Sequence, residues 1–249
     1  MNKFKYIFLS LALVAGFASC TNDNYDLPSE TFKGAFIDKE TGEPFQTAIG
    51  GTGIRIRMME YSWSDNPQPY DFNAKMDGTF QNTKIFKGEY GVIPEGAFVP
   101  LEEEIIKIKG VVEKTYEVEP LLRVEWVGEP VVNADGTATV KVKITRGTDN
   151  PDYQQALQEG WLYVSETNYV GDFSYSPMFS TKIAAGQLAL DTVLEFTTGY
   201  PNGISGNAAP FPNYERKYFL RFAAKINKDF SGVKRYNYST VKEITTVKR

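Results

Sequence analysis

Lys217-Tyr218-Phe219-Leu220-Arg221-Phe222-Ala223-Ala224-Lys225-Ile226 is the most regular stretch of this chain, and its period is two. Tyr218, Leu220, Phe222, Ala224 and Ile226 share one side of an extended strand, while Arg221 and Lys225 lie on the other. An antiparallel strand with one face in a core and one in water has this pattern. Around it, Leu122 to Val127 and Thr137 to Thr145 flank the turn Asn133-Ala134-Asp135-Gly136, a hairpin signal. Trp161 to Ser165, Ala189 to Phe196 and Arg235 to Thr246 extend the series of strands. One short helix is predicted over Pro151 to Glu159, capped by Asp149 or Asn150 and stopped at Gly160.

The first half reads the same way. Phe32 to Ile37, Ile54 to Tyr61, Gly78 to Ile85, Gly88 to Ile93, Glu104 to Ile108 and Lys114 to Val118 alternate and are rich in β-branched or aromatic residues. Thr41-Gly42-Glu43-Pro44, Asp77-Gly78 and Lys87-Gly88 supply the chain reversals. Pro120 interrupts the pattern, so the sequence predicts an all-β chain of two β-sandwiches, over residues 31–119 and 120–249.

Ahead of the first sandwich stand a basic tip (Lys3, Lys5), an apolar run from Tyr6 to Phe17 and then Ala18-Ser19-Cys20. The run is too short to hold a spanning helix and has the layout of an export signal over residues 1–19. It resembles a bacterial lipoprotein signal, which implies that Cys20, the one cysteine of the chain, becomes an acylated first residue. Residues 20–30 are then a polar tether, with Asp23 and Asp26 similar to the export tag of Bacteroidota lipoproteins. The resemblance implies an outer-membrane protein, lipid-anchored and facing the cell exterior. An ordinary secretory signal with a chance cysteine at its end is the alternative.

Composition excludes several functions. Removing residues 1–19 takes away two lysines, so the formal charge moves from -4 to -6. With no basic excess, a nucleic-acid partner is not expected. The chain has no histidine, which rules out Ser-His-Asp and Cys-His catalysis and histidine-ligated zinc. No cofactor or metal site is expected, and no enzyme activity. The catalytic designs that survive are paired carboxylates, for which Glu159, Glu166, Asp172 and Glu195 are available near aromatics, and a Ser-Lys arrangement.

The run Asp38-x-x-Thr41-Gly42-x-Pro44, then Asp77-Gly78-Thr79-Phe80 and Gly88-Glu89-Tyr90, resembles the carboxypeptidase regulatory-like module. That resemblance implies a transthyretin-like, seven-stranded and non-catalytic sandwich. The second half resembles a fibronectin type III or immunoglobulin-like domain, with Tyr218 to Ala224 similar to its penultimate strand. As a whole the chain is similar to two-domain Bacteroidota lipoproteins of unassigned function from polysaccharide-utilisation loci. The similarity implies SusC-like and SusD-like outer-membrane partners and an accessory role in glycan capture, with polysaccharide or oligosaccharide as ligand. A structural, adhesive or transporter-scaffold role, binding protein rather than glycan, is the alternative.

Sugar-binding surfaces use flat aromatic faces with polar neighbours. Tyr61, Trp63 and Tyr70 lie in a Pro-rich, polar segment, Tyr61 to Asp71, read as lying outside a regular strand and as a candidate contact for carbohydrate or for a protein partner. Tyr169, Phe173 and Tyr175 form a second candidate set, in a segment that reads preferentially as a short strand with a buried face. Tyr200 and Tyr214 flank a Gly/Pro/Asn-rich stretch and form a third. Trp126 and Trp161 lie inside strand patterns and are expected in the core or at a domain interface. Glu102-Glu103-Glu104 reads as a solvated turn, and Asp149, Asn150 and Asp152 as a helix cap in preference to a calcium site.

Overall fold

The computed structural model describes residues 27–199, 209–230 and 232–249. Cys20 and Tyr200 therefore lie outside the described residues. The first unit contains β1 (Glu30–Asp38), β2 (Arg55–Glu60), β3 (Pro69–Asn73), β4 (Thr79–Ile85), β5 (Gly88–Glu95), β6 (Glu104–Ile108) and β7 (Val111–Val118). They form two sheets, ordered β4-β1-β7 and β3-β2-β5-β6, with β1 and β7 parallel and the other pairs antiparallel. Between the sheets Phe36 packs on Phe80, Phe98 and Tyr116, with ring centroids 5.6, 5.9 and 5.0 Å away. Burying each such ring contributes roughly 1.5–3 kcal/mol. Gly78 opens β4 at φ +77°, and a Cβ there would sit 2.5 Å from the Phe45 carbonyl oxygen. Glycine is thus required at this turn on two counts.

The second unit contains β8 (Leu122–Trp126), β9 (Val131–Val132), β10 (Ala138–Arg146), β11 (Leu157–Ser165), β12 (Thr181–Ala184), β13 (Val193–Thr197), β14 (Arg216–Ile226), β15 (Asn237–Tyr238) and β16 (Lys242–Thr246). One sheet runs β13-β10-β8, with β9 also on β10; the other runs β12-β11-β14-β15, with β16 also on β14. The chain is thus all-β and made of two sandwiches. A single cluster of buried apolar side chains runs through both, passing from Phe36 and Phe98 to Leu121, Leu122 and Phe222.

Four expectations are corrected. Pro151 to Glu159 is not a helix: only Pro151–Tyr153 makes one 3-10 turn, capped by the Asn150 side chain on the Asp152 amide at 3.0 Å. Leu157 onward is claimed by β11, because that strand gains a full antiparallel partner in β14, and tertiary pairing overrides a weak local preference. The Tyr61–Asp71 segment is not wholly irregular, since Pro69 begins the edge strand β3. The Tyr169–Tyr175 segment is not a strand: the chain turns back at a lone bridge between Gly171 and Ser174. Finally, β14 is not half-buried, because Arg221 and Ala223 on its supposed solvent face are both fully buried.

Candidate functional site

The first sandwich reaches the middle of β14, and this explains the burial of Arg221. Its guanidinium donates to the Ser239 carbonyl at 2.9 Å within the second sandwich and to the Thr47 and Met76 carbonyls of the first at 2.9 and 3.2 Å. It also lies 4.4 Å from the centre of the Tyr238 ring. Burial lowers its pKa to about 10, so it stays charged at neutral pH. Carbonyl dipoles and a π face compensate that charge.

Three more side chains of the second sandwich reach across the joint. Arg123 on β8 grips the Asp38 carboxylate at the end of β1 with two hydrogen bonds, 2.5 and 2.9 Å. Burial raises the Asp38 carboxyl, but the Arg123 hydrogen bond, the Glu40 amide and the Arg123 charge outweigh it and hold it below its ordinary value. Asn237 on β15 donates to the Ala97 carbonyl at 2.8 Å and accepts from the Leu122 amide. Arg235, also buried, donates to the Gly53 carbonyl at 3.1 Å.

Between the turn after β1 and strands β8 and β15 this joint leaves a groove of about 530 Å³. That volume falls within the range of small-ligand sites, which favour domain interfaces. Its lining includes buried Phe45 and Val124, half-buried Trp126, and Gln46, Glu125 and Lys242. The Trp126 indole donates its N–H to the Thr240 carbonyl at 2.9 Å, which fixes the ring. Lys242 is held by Glu129 at 2.5 Å. A fixed indole beside amide, carboxylate and ammonium groups can take a ring with an apolar C–H face and hydroxyl edges.

The aromatics proposed from sequence are dispersed. Trp63 is 78% exposed and stands beside Leu27 and Phe86, which are 84% and 47% exposed, at the corner where β1 begins and β2 and β4 end. Tyr61 bends away over Gly91 and donates to Glu103 at 2.9 Å. Tyr70, on β3, accepts from the Asn82 amide of the opposite sheet at 2.7 Å. Phe173 and Tyr175 pack with Tyr163 and Trp161 on the outer face of β11, leaving Tyr169 exposed alone. Tyr214 is exposed near the chain's end, its carbonyl accepting from Thr246.

The acidic residues set aside for a two-carboxylate site are committed elsewhere. Glu159 accepts from Lys225 at 2.7 Å and Lys182 at 3.1 Å, and from the Tyr236 hydroxyl. Glu166 pairs with Arg216, Glu195 with Lys141, and Asp172 accepts from Tyr238. Among the described residues, no cluster of three or more acidic, cysteine or histidine side chains is placed to hold a metal ion.

Trp126 and Phe45 were not selected from sequence as contact residues. The one signal available was its strand pattern, which puts Trp126 in the core or at a domain interface; it lies at the joint, lining the groove.

Residues 30–119 match the family model described as the N-terminal domain of a protein of unknown function, DUF3823. No curated protein matches the chain. A solved DUF3823 family protein from Bacteroides uniformis is 32% identical, with 89% of this chain and 100% of that one covered at a TM-score of 0.77. A second B. uniformis structure, described as a "putative carbohydrate binding protein", is 20% identical over 88% of this chain and 100% of that one, at 0.68. A DUF3823 family protein from Parabacteroides merdae is 17% identical over 88% and 100%, at 0.63.

Proposed function

This chain belongs to the DUF3823 family, and on that premise we propose that it is a non-catalytic, carbohydrate-binding lipoprotein of the outer membrane. Cys20 carries its acyl anchor, and it works beside SusC-like and SusD-like proteins in glycan capture. The observation that carries the reading is the groove at the joint, with Trp126 locked by Thr240 and polar side chains around it. Stacking a sugar ring on an immobile indole removes apolar area from water at little rotamer cost. The description of one relative of the same fold as carbohydrate binding supports this reading, as does the engagement of Glu159, Glu166, Asp172 and Glu195 in ion pairs or hydrogen bonds rather than across a cleft. Weak contact by one copy gains strength from many copies on one surface.

Affinity electrophoresis of residues 21–249 through gels carrying plant, host and microbial polysaccharides tests the proposal. Retardation by at least one glycan is expected. Unchanged migration across the panel would turn the assignment toward a protein partner.

A further inference from the structure

The corner formed by Leu27, Trp63 and Phe86 is the most exposed group of large apolar side chains in the first sandwich. Soluble surfaces seldom keep such a group uncovered without a use for it. Its place in the chain identifies its occupant. Leu27 is seven residues after Cys20, a stretch that spans at most about 25 Å when fully extended. The corner is also at the Glu30 end of β1, whereas the groove is at the Asp38 end. Nine residues of strand hold the two apart by about 25 Å.

We propose that the Leu27-Trp63-Phe86 corner seats in the interfacial layer of the bilayer that holds the acyl chains of Cys20, so that β1 stands away from the membrane and the groove faces outward. The inference rests on the Cys20 anchor of the proposed function. An indole and a phenyl ring beside a leucine suit the boundary between headgroups and acyl chains, where one edge of the indole is wet and its face is apolar. An anchor at a single point lets the body tumble. A second contact at the root of the tether restricts its orientation.

The test uses the full chain, expressed in a lipoprotein-processing host, purified from membranes and reconstituted into phosphatidylcholine vesicles whose acyl chains carry bromine as a quencher. Vesicle flotation and the mass of the N-terminal peptide report the anchor separately. The expected result is that the protein floats, that bromolipid quenches its tryptophan emission, and that Trp63→Phe removes most of that quenching without affecting flotation. Trp63 is nearly free of packing, so this substitution does not endanger the fold. A floating, acylated protein whose emission is unquenched, or quenched equally in Trp63→Phe, overturns the seating while leaving the anchor intact. Failure to float with no acyl mass on Cys20 overturns the anchor, and the seating with it.

Discussion

Two tryptophans mark the two ends of β1, and their surroundings differ in kind. Trp63 stands at the Glu30 end on a loop, 78% exposed, beside other exposed apolar side chains. Trp126 stands beyond the Asp38 end in a regular strand, half-buried, its N–H tied to a carbonyl and its neighbours supplied by both sandwiches. A loop tryptophan offers surface without a fixed partner geometry. A strand tryptophan at a domain joint offers less surface, but in a fixed orientation with polar groups already in place. Specific recognition of a small ring favours the second, and contact with a fluid interface tolerates the first.

The comparison breaks most visibly if the joint is opened. Arg221→Met strands the Thr47 and Ser239 carbonyls, while the Met76 carbonyl keeps the Thr47 amide, and leaves the Tyr238 face without its cation. We expect a loss of about 2–6 kcal/mol in denaturant unfolding, from two buried carbonyls left unpaired. Small-angle scattering should show a more extended particle, and glycan retention should fall, while bromolipid quenching of Trp63 persists. Loss of both properties together would mean that the two ends are not independent.

Acid should weaken the second sandwich. Burial raises the Glu159 carboxyl, but hydrogen bonds from Lys225, Tyr236 and Lys182 outweigh it and bring it to about 2. A carboxyl depressed in the folded state contributes stability above its unfolded value, near 4.5, and loses it as pH falls toward 2. The contribution is at most about 3 kcal/mol. Glu159→Gln should flatten the fall in stability across that window, measured by urea unfolding at successive pH values, and an unchanged slope would remove Glu159 from the account.

Smaller effects separate the indoles themselves. Trp126→Ala should weaken glycan binding at least tenfold, about 1.4 kcal/mol, read by affinity electrophoresis. Trp63→Ala should leave glycan retention unchanged and alter stability by less than about 0.5 kcal/mol, read by thermal unfolding.

Much of the architecture was legible because period-two alternation needs only local residues. Phe32, Phe36, Phe80 and Tyr116 are in the core where alternation puts them. The Asn133–Gly136 turn closes as its residues demand, with the Gly136 amide donating to the Asn133 carbonyl. The site was less legible because it depends on what lies across the joint. Arg221 reads as solvent-facing when β14 is considered alone, since nothing in Lys217 to Ile226 announces that Thr47 and Met76 will supply carbonyls to it. Phe45 and Trp126 are separated by 81 positions in the chain, and no local pattern places them in one groove. The Tyr61–Asp71 segment was legible as exposed aromatic surface. Its proximity to Leu27 and Phe86 follows only from the way β1, β2 and β4 meet at one corner.

The most direct test of the groove is a titration of the Trp63→Phe, Trp161→Phe double variant of residues 21–249, in which Trp126 is the sole indole. The titrants are oligosaccharide fragments of the same glycan panel, followed by tryptophan emission and by calorimetry. A saturable emission change that tracks the calorimetric isotherm is expected for at least one fragment. Calorimetric binding with emission unaltered, or no binding by any fragment, would contradict it.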